Sequence, residues 1–326
     1  MRSIPFYPLM IVLLIGLGGY LGCDPNSIAP NPEIIGDGDG GAQVPPGNFA
    51  SIPQRTGTTV LIGSFNIQRL GPSKLADGFV MEKFAQIIRL FDVIALQEIT
   101  SKDQRTLDAL VTEVNRLGGQ YSYTISPRIG RTGYLEQYAF VFDATRIAGG
   151  PEFCYVVQDD ADVLHREPFV GRFRTLFPTG PFQFSLINIH TDPDEIAYEL
   201  DVLATVFKNV REYEYPEDDV LLLGDLNADP NKFQQLGKIP GIMPLIDGLP
   251  TNTRKNKTLD NILIDRQMTG EFTGRAGVID MESVFQLQLN DVERISDHLP
   301  VWAEFTATEA GGGITATAAT GPTIQR

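Results

Sequence analysis

The sequence predicts an α/β sandwich of four layers, in which helices cover two packed mixed β-sheets, and three features predict it. Between Val60 and Leu96 an apolar run, a helical stripe and a second apolar run follow one another, the order of a crossover in a layered sheet. Residues 121–126, 137–142 and 182–189 alternate with the period of strands. Val220, Leu221, Leu222 and Leu223 are consecutive and branched, which reads as a strand covered on both faces. The composition allows such a fold, since 326 residues, 42% of them hydrophobic and 21% charged, suffice for one large core. A net charge of -15 argues against gripping nucleic acid through lysine and arginine alone, so any handling of phosphates calls for metal ions. Cys23 and Cys154 are the only cysteines and cannot build a disulfide framework.

The chain begins outside that fold. Arg2 followed by an uncharged apolar run from Ile4 to Gly22 has the layout of a secretory signal, assigned to residues 1–22. It ends in Tyr20-Leu21-Gly22-Cys23, which resembles a bacterial lipobox, with Cys23 as the lipidated residue and Tyr20 where that motif prefers leucine. The expected location is the cell envelope, by a lipid anchor at the membrane, or the exterior by secretion, and the expected assembly is a monomer. A plain secretory signal and an uncleaved anchor are the alternatives. Residues 23–56, rich in Pro, Gly, Asn and Asp, read as a disordered tether, residues 57–307 as the folded domain, and residues 308–326 as a flexible tail.

Within the domain, residues 60–65 are a strand by composition, with Asn66 at its carboxyl end before Gly71-Pro72 breaks the chain. Val80, Phe84, Ile87, Ile88 and Phe91 recur at helical intervals, and residues 93–96 form a buried strand ending in Gln97-Glu98. A second helical stripe of Leu107, Leu110, Val111, Val114 and Leu117 stops at Gly118-Gly119. The loop Arg128-Ile129-Gly130-Arg131-Thr132-Gly133 is either a contact to a polyanion or a solvated hairpin loop. A less regular section with Asp159, Asp160 and Asp162 precedes Arg166-Glu167-Pro168. The strand that starts at Phe182 ends in Asn188-Ile189-His190. A helix with Leu200, Leu203, Val206, Phe207 and Val210 inward then leads to the strand before Gly224-Asp225-Leu226-Asn227. Leu259-Asp260-Asn261-Ile262 opens another strand, and Ser296-Asp297-His298 stands at the mouth of the last, which runs to Phe305.

Polar residues thus gather at strand ends, and their types fit one reaction. Phosphodiester hydrolysis needs a hard cation to neutralise charge in the transition state, a base for the attacking water, and an acid for the leaving oxygen. Magnesium prefers oxygen ligands, which Asn66, Glu98, Asp225, Asn227 and Asp297 supply. His190 and His298, two of three histidines, transfer protons near neutral pH, and Glu136 and Asp260 are carboxylates available to orient them. A lone histidine is more often structural and a strand-end aspartate is often a turn former; the set taken together, in this order, points to hydrolysis.

Six motifs, Phe65-Asn66-Ile67, Leu96-Gln97-Glu98, Asn188-Ile189-His190, Gly224-Asp225-Leu226-Asn227-Ala228-Asp229, Leu259-Asp260-Asn261-Ile262 and Ser296-Asp297-His298, resemble in this order the endonuclease/exonuclease/phosphatase superfamily. Tyr134-Leu135-Glu136-Gln137-Tyr138-Ala139-Phe140 and Arg166-Glu167-Pro168 look most like its deoxyribonuclease I branch. The resemblance implies a DNase I-like fold and a metal-dependent endonuclease of low sequence specificity acting on duplex DNA. It implies His190 with Glu136 and His298 with Asp260 as acid/base couples. Asn66, Glu98 and Asp297 would hold one divalent ion, magnesium or manganese, and Asp225 and Asn227 the scissile phosphate or a second ion. Tyr134 and Arg166 would meet the minor-groove side of DNA, and Asp162 and Glu167 would hold a structural calcium. The chain also departs from that pattern. Thr100 stands where an arginine reaching DNA is favoured, Gln68 follows Asn66 by two with Arg69 beside it, and the branch's disulfides cannot form. Fewer basic contacts keep two alternatives open: the same hydrolytic core acting on a phospholipid head group or other small phosphoester, and a non-catalytic surface binding module.

Overall fold

A computed structural model describes residues 52, 54–103, 105–131, 133–177, 179–214 and 219–310. The signal segment, Cys23, most of the tether and the tail from residue 311 lie outside the described residues. In chain order the first half comprises β1 (Thr59–Leu70), α1 (Pro72–Leu75), α2 (Gly78–Ile88), β2 (Val93–Ile99), α3 (Arg105–Arg116), β3 (Tyr121–Ile125), β4 (Gln137–Asp143), β5 (Ile147–Ala148) and β6 (Cys154–Val156). The second half comprises β7 (Phe169–Thr175), β8 (Gln183–His190), α4 (Ile196–Asn209), β9 (Val220–Asp225), β10 (Ile242–Pro244), β11 (Asp260–Asp265), β12 (Phe272–Val278), α5 (Met281–Phe285), α6 (Leu289–Ile295) and β13 (Val301–Thr306).

The strands form two mixed sheets. One has the order β12-β13-β1-β2-β4-β3, with β1 and β2 parallel and the other pairs antiparallel. The other runs β10-β11-β9-β8-β7-β5, with β6 also on β7, and here β8 and β9 are the parallel pair. The run from Val220 to Leu223 explains why helices are needed outside. Leu221 and Leu223 join the core between the sheets, whereas Val220 and Leu222 join a second core with Leu200, Leu203 and Phe207 of α4. Truncating such a residue, as in Leu222→Ala, costs about 2–5 kcal/mol through lost burial and the cavity left behind. On the far side, Asp77 caps α2 by accepting from the amides of Phe79 and Val80, and Val80, Phe84, Ile87 and Ile88 turn inward. Phe91 lies beyond the helix end yet is fully buried, its ring against Gly63, where any Cβ would come within 2.1 Å of it.

Two expectations shift in detail. β1 does not end at Phe65 but runs on to Leu70, and three of its residues oppose one residue of β2 between the pairs Asn66–Gln97 and Leu70–Ile99. This bulge leaves Gln68, Arg69 and Glu98 with positive φ and turns them out of the sheet. Contacts also reach past residues 57 and 307. Arg55 donates to Asp92 and Asp143, and Glu309 accepts from the amide of Gln183.

Candidate active site

The site forms where the carboxyl ends of β1, β2, β8 and β9 meet the starts of β4, β11 and β13. Asp225, the last residue of β9, lies between His190 of β8 and Asp260 of β11 in the register. Gly224 permits this crowding, because at its φ of 148° a Cβ would sit 1.8 Å from the carbonyl oxygen of Ile189. The Nε2 atoms of His190 and His298 both point at one oxygen of Asp225, at 3.6 and 3.4 Å. Asn66 donates to that same Oδ2 at 3.1 Å, while the other oxygen accepts from the amide of Asn227 at 3.0 Å.

Each imidazole has its own carboxylate behind it. His190 Nδ1 lies 3.0 and 3.2 Å from the two oxygens of Glu136, which is fully buried. The backbone of His190 is pinned by Tyr138, whose hydroxyl accepts from its amide at 2.9 Å. Burial alone would lower the His190 pKa, but the charge and hydrogen bond of Glu136, helped by Asp225, outweigh it and lift it to about 9. His298 Nδ1 lies 2.8 Å from Oδ2 of Asp260, an oxygen that also accepts from the Thr251 hydroxyl at 2.7 Å. Burial again opposes the charged imidazole, and Asp260 and Asp225 overcome it, so His298 is raised well above its ordinary value. Asp260 is itself pushed up by complete burial, with Asp225 adding to the effect against the pull of His298.

The oxygen-rich side of the cleft is built on the β1 bulge. Glu98 accepts from Asn66 Nδ2 at 2.9 Å through one oxygen, and from the Arg69 amide at 3.1 Å and the Tyr134 hydroxyl at 2.9 Å through the other. Asp297 is exposed at the mouth, 4.0 Å from His298 Nε2. Lys74 ties this side together, donating to the carbonyls of Ile67 at 2.9 Å and Ile295 at 2.6 Å. Its burial lowers the amine to about 8 against the opposing charges of Asp297 and Glu98. Glu98, Asp225 and Asp297 are hard oxygen donors lining one cleft of about 420 Å³, a donor set that suits magnesium or manganese. The Oδ1 of Asn66 accepts from the Gln68 amide at 2.9 Å, so a role as ligand would require that contact to be given up.

Sequence comparison agrees with this geometry. Residues 63–298 match the endonuclease/exonuclease/phosphatase family. The chain belongs to that family. It is 32% identical over 263 residues to human deoxyribonuclease-1-like 1, covering 76% of this chain and 85% of the relative. It is 31% identical over 264 residues to rat deoxyribonuclease gamma, covering 76% and 84%. Among solved structures, a family member from Bacteroides thetaiotaomicron superposes with a TM-score of 0.55 at 15% identity, covering 79% of this chain and 98% of the other. A mannosyl-6-phosphatase from the same organism does so at 0.51 and 14%, covering 75% and 98%. These two likenesses show the fold. As a member of the endonuclease/exonuclease/phosphatase family, the chain is a hydrolase acting on phosphodiester bonds.

Most of the residues expected in the family's site come together: His190, His298, Glu98, Asp225, Asn227, Asp297 and Tyr134 line one cleft, with Glu136 and Asp260 directly behind the histidines. Others are placed differently. Arg166 reaches the cleft but is buried, donating to the carbonyls of His190 at 2.9 Å and Thr191 at 3.0 Å, so it braces the floor rather than projecting toward a groove. Of the two acids expected to share a calcium, Asp162 pairs with Arg131 at 3.1 Å, and neither it nor Glu167 belongs to a tight donor cluster among the described residues. The arginine loop is likewise committed internally. Arg128 donates to the carbonyls of Thr100, Ser101 and Leu135, and Arg131 pairs with Glu195 as well as Asp162.

Several supporting residues have no role assigned to them by the sequence. Lys74 and Thr251 belong to no motif. Gln97 donates to Ser64 at 3.0 Å and to Asn188 at 2.7 Å, and so clasps the sheets behind the site. Glu199 accepts from the amides of His165 and Asp192 and fixes two loops around Arg166.

Proposed function

We propose that this protein is a metal-dependent endonuclease of low sequence specificity that cleaves duplex DNA outside the cytoplasm. The observation that carries the reading is the convergence of two carboxylate-backed imidazoles on Asp225 within a cleft lined by Glu98 and Asp297. Relatives named as deoxyribonucleases, at about one-third identity across the folded region, favour DNA among phosphodiesters.

The residues divide the work by position. Asp225 lies where both Nε2 atoms point, and with Asn227 it marks the seat of the scissile phosphate. One imidazole takes a proton from the attacking water and the other gives one to the departing oxygen. Glu136 and Asp260 hold the two rings by Nδ1, leaving each Nε2 as the atom that exchanges protons, and stabilise the imidazolium form. A divalent ion held by Glu98 and Asp297, with Asn66 and Asp225 adjoining, would neutralise charge on the phosphate oxygens. Tyr134, held by Glu98, presents its ring beside this seat.

The test is a substrate panel with the full-length chain: supercoiled plasmid, RNA, phospholipid vesicles and nucleotides, with magnesium, with magnesium plus calcium, and with chelator. Nicking of plasmid that chelator abolishes is the expected result. Turnover of a lipid phosphoester with intact plasmid would replace the DNA reading with the small-phosphoester one, which the scarcity of exposed cations in the cleft favours. The envelope location rests on residues 20–23 and is tested separately by fractionation. The chain should partition with membranes, and Cys23→Ser should release it.

A further inference from the structure

The cleft is lined by Glu98, Asp192, Asp225 and Asp297, and a nucleic acid entering it needs a cation beyond the metal. Arg166 is buried and occupied with backbone carbonyls, and Lys74 is largely buried behind Glu98. Arg69 is the exposed cation of the cleft lining among the described residues. Its position is set by the bulge. Gln68 and Arg69 both have positive φ, and the Arg69 amide is anchored to Glu98, so the side chain turns into the cleft rather than along the sheet. There its guanidinium lies over the Tyr134 ring, 5.2 Å from the centroid, and the Tyr134 hydroxyl is fixed on Glu98. The Arg69 side chain also hydrogen-bonds Tyr134, which holds the cation in place at little further cost in side-chain entropy and leaves its remaining N–H donors for a phosphate. Leu70 pairs with Ile99, so this turn lies beside Thr100, a position without charge in this chain.

We propose that Arg69, supported by Tyr134, is the substrate-binding residue that clamps a backbone phosphate flanking the scissile one. The assignment rests on the nuclease reading and adds the residue that holds the polyanion. A guanidinium forks two parallel hydrogen bonds onto phosphate oxygens, which a lysine ammonium does not reproduce.

The experiment is steady-state cleavage of a duplex oligonucleotide by the full-length chain, Arg69→Ala and Arg69→Lys, in magnesium, over a salt series. For R69A the expected result is a KM raised about tenfold with kcat within about twofold. The slope of log KM against log salt should be shallower by about one, because one phosphate contact is lost. R69K should restore the slope, which reports charge, and only part of the affinity, which reports the fork. R69A with unchanged KM and slope would overturn the inference. So would a loss confined to kcat, which would make Arg69 a support for Glu98, or an R69K slope as shallow as that of R69A. The wild type separates this failure from that of the parent reading: if it leaves duplex uncut while hydrolysing bis-p-nitrophenyl phosphate, the nuclease reading falls and this inference with it.

Discussion

His190 ends β8 in one sheet and takes its carboxylate from Glu136, just ahead of β4 in the other, whereas His298 stands ahead of β13 in the first sheet and takes Asp260 from β11 in the second. Each couple therefore bridges the sandwich, and the two approach Asp225 from opposite sides. What lies behind them differs. Glu136 has Arg166 Nε at 3.8 Å, so a second cation shares its charge, whereas Asp260 has the hydroxyl of Thr251 and an Oδ1 with no hydrogen-bond partner among the described residues. Glu136 thus answers two cations, the His190 imidazolium and Arg166, and Asp260 only one, the imidazolium of His298. The couples share the proposed role of proton transfer and differ in charge support.

The shared role predicts the largest effects. His190→Ala and His298→Ala should each lower the cleavage rate by about 10² to 10⁴, measured as initial rates of plasmid nicking in magnesium. A variant that kept near wild-type rate would break the equivalence of the couples. Charge support predicts an asymmetry in stability. Glu136→Gln leaves both the His190 imidazolium and Arg166 buried without their near counter-charge and should cost on the order of 3 kcal/mol in urea unfolding, whereas Asp260→Asn strands the His298 imidazolium alone and should cost less. The reverse order would show that Arg166 is not what distinguishes the couples.

The pH dependence sharpens the same point. His190 is raised from 6.5 to about 9, so the stability it contributes is fully present below pH 6.5 and is lost as pH rises through 9. With chelator present, the urea midpoint should fall across that window, and His190→Ala should flatten the fall. The smallest expected effect on rate is that of Thr251→Val, which removes the hydroxyl's bond to the Asp260 carboxylate and its acceptance from the amides of Leu259 and Asp260, and should cost about 2–3 kcal/mol in stability with a modest loss of rate. A loss of rate as large as that of His298→Ala would mean that Thr251 sets the proton position and not merely the orientation of Asp260.

Eight of the strands, the three main helices and the strand-end residues are legible in the sequence because each has a local physical signature. The run at Val220 to Leu223 requires cover on both faces, and the polar Asp225 and Asn227 that follow it mark the strand's carboxyl end. The ends of segments were less clear. Nothing in Phe65-Asn66-Ile67 says that β1 continues to Leu70, because the bulge arises from pairing with β2 and not from local preference. Long-range partners were also hidden. The expectation that Arg166 meets DNA came from similarity, but its burial is fixed by the carbonyls of His190 and Thr191, which are distant in sequence. Lys74 and Thr251 carry no local signal for the same reason, since their partners lie more than 200 residues away in one case and behind a turn in the other.

The proposed function stands on two imidazoles that converge on Asp225 and hydrolyse a phosphodiester with the help of a divalent ion. Nicking of supercoiled plasmid by the full-length chain, with magnesium, with magnesium plus chelator, and with His298→Ala in parallel, tests it most directly. The expected result is nicking in magnesium that chelator abolishes and the substitution lowers by about 10² to 10⁴. Nicking that persists undiminished in the folded His298→Ala variant would contradict it.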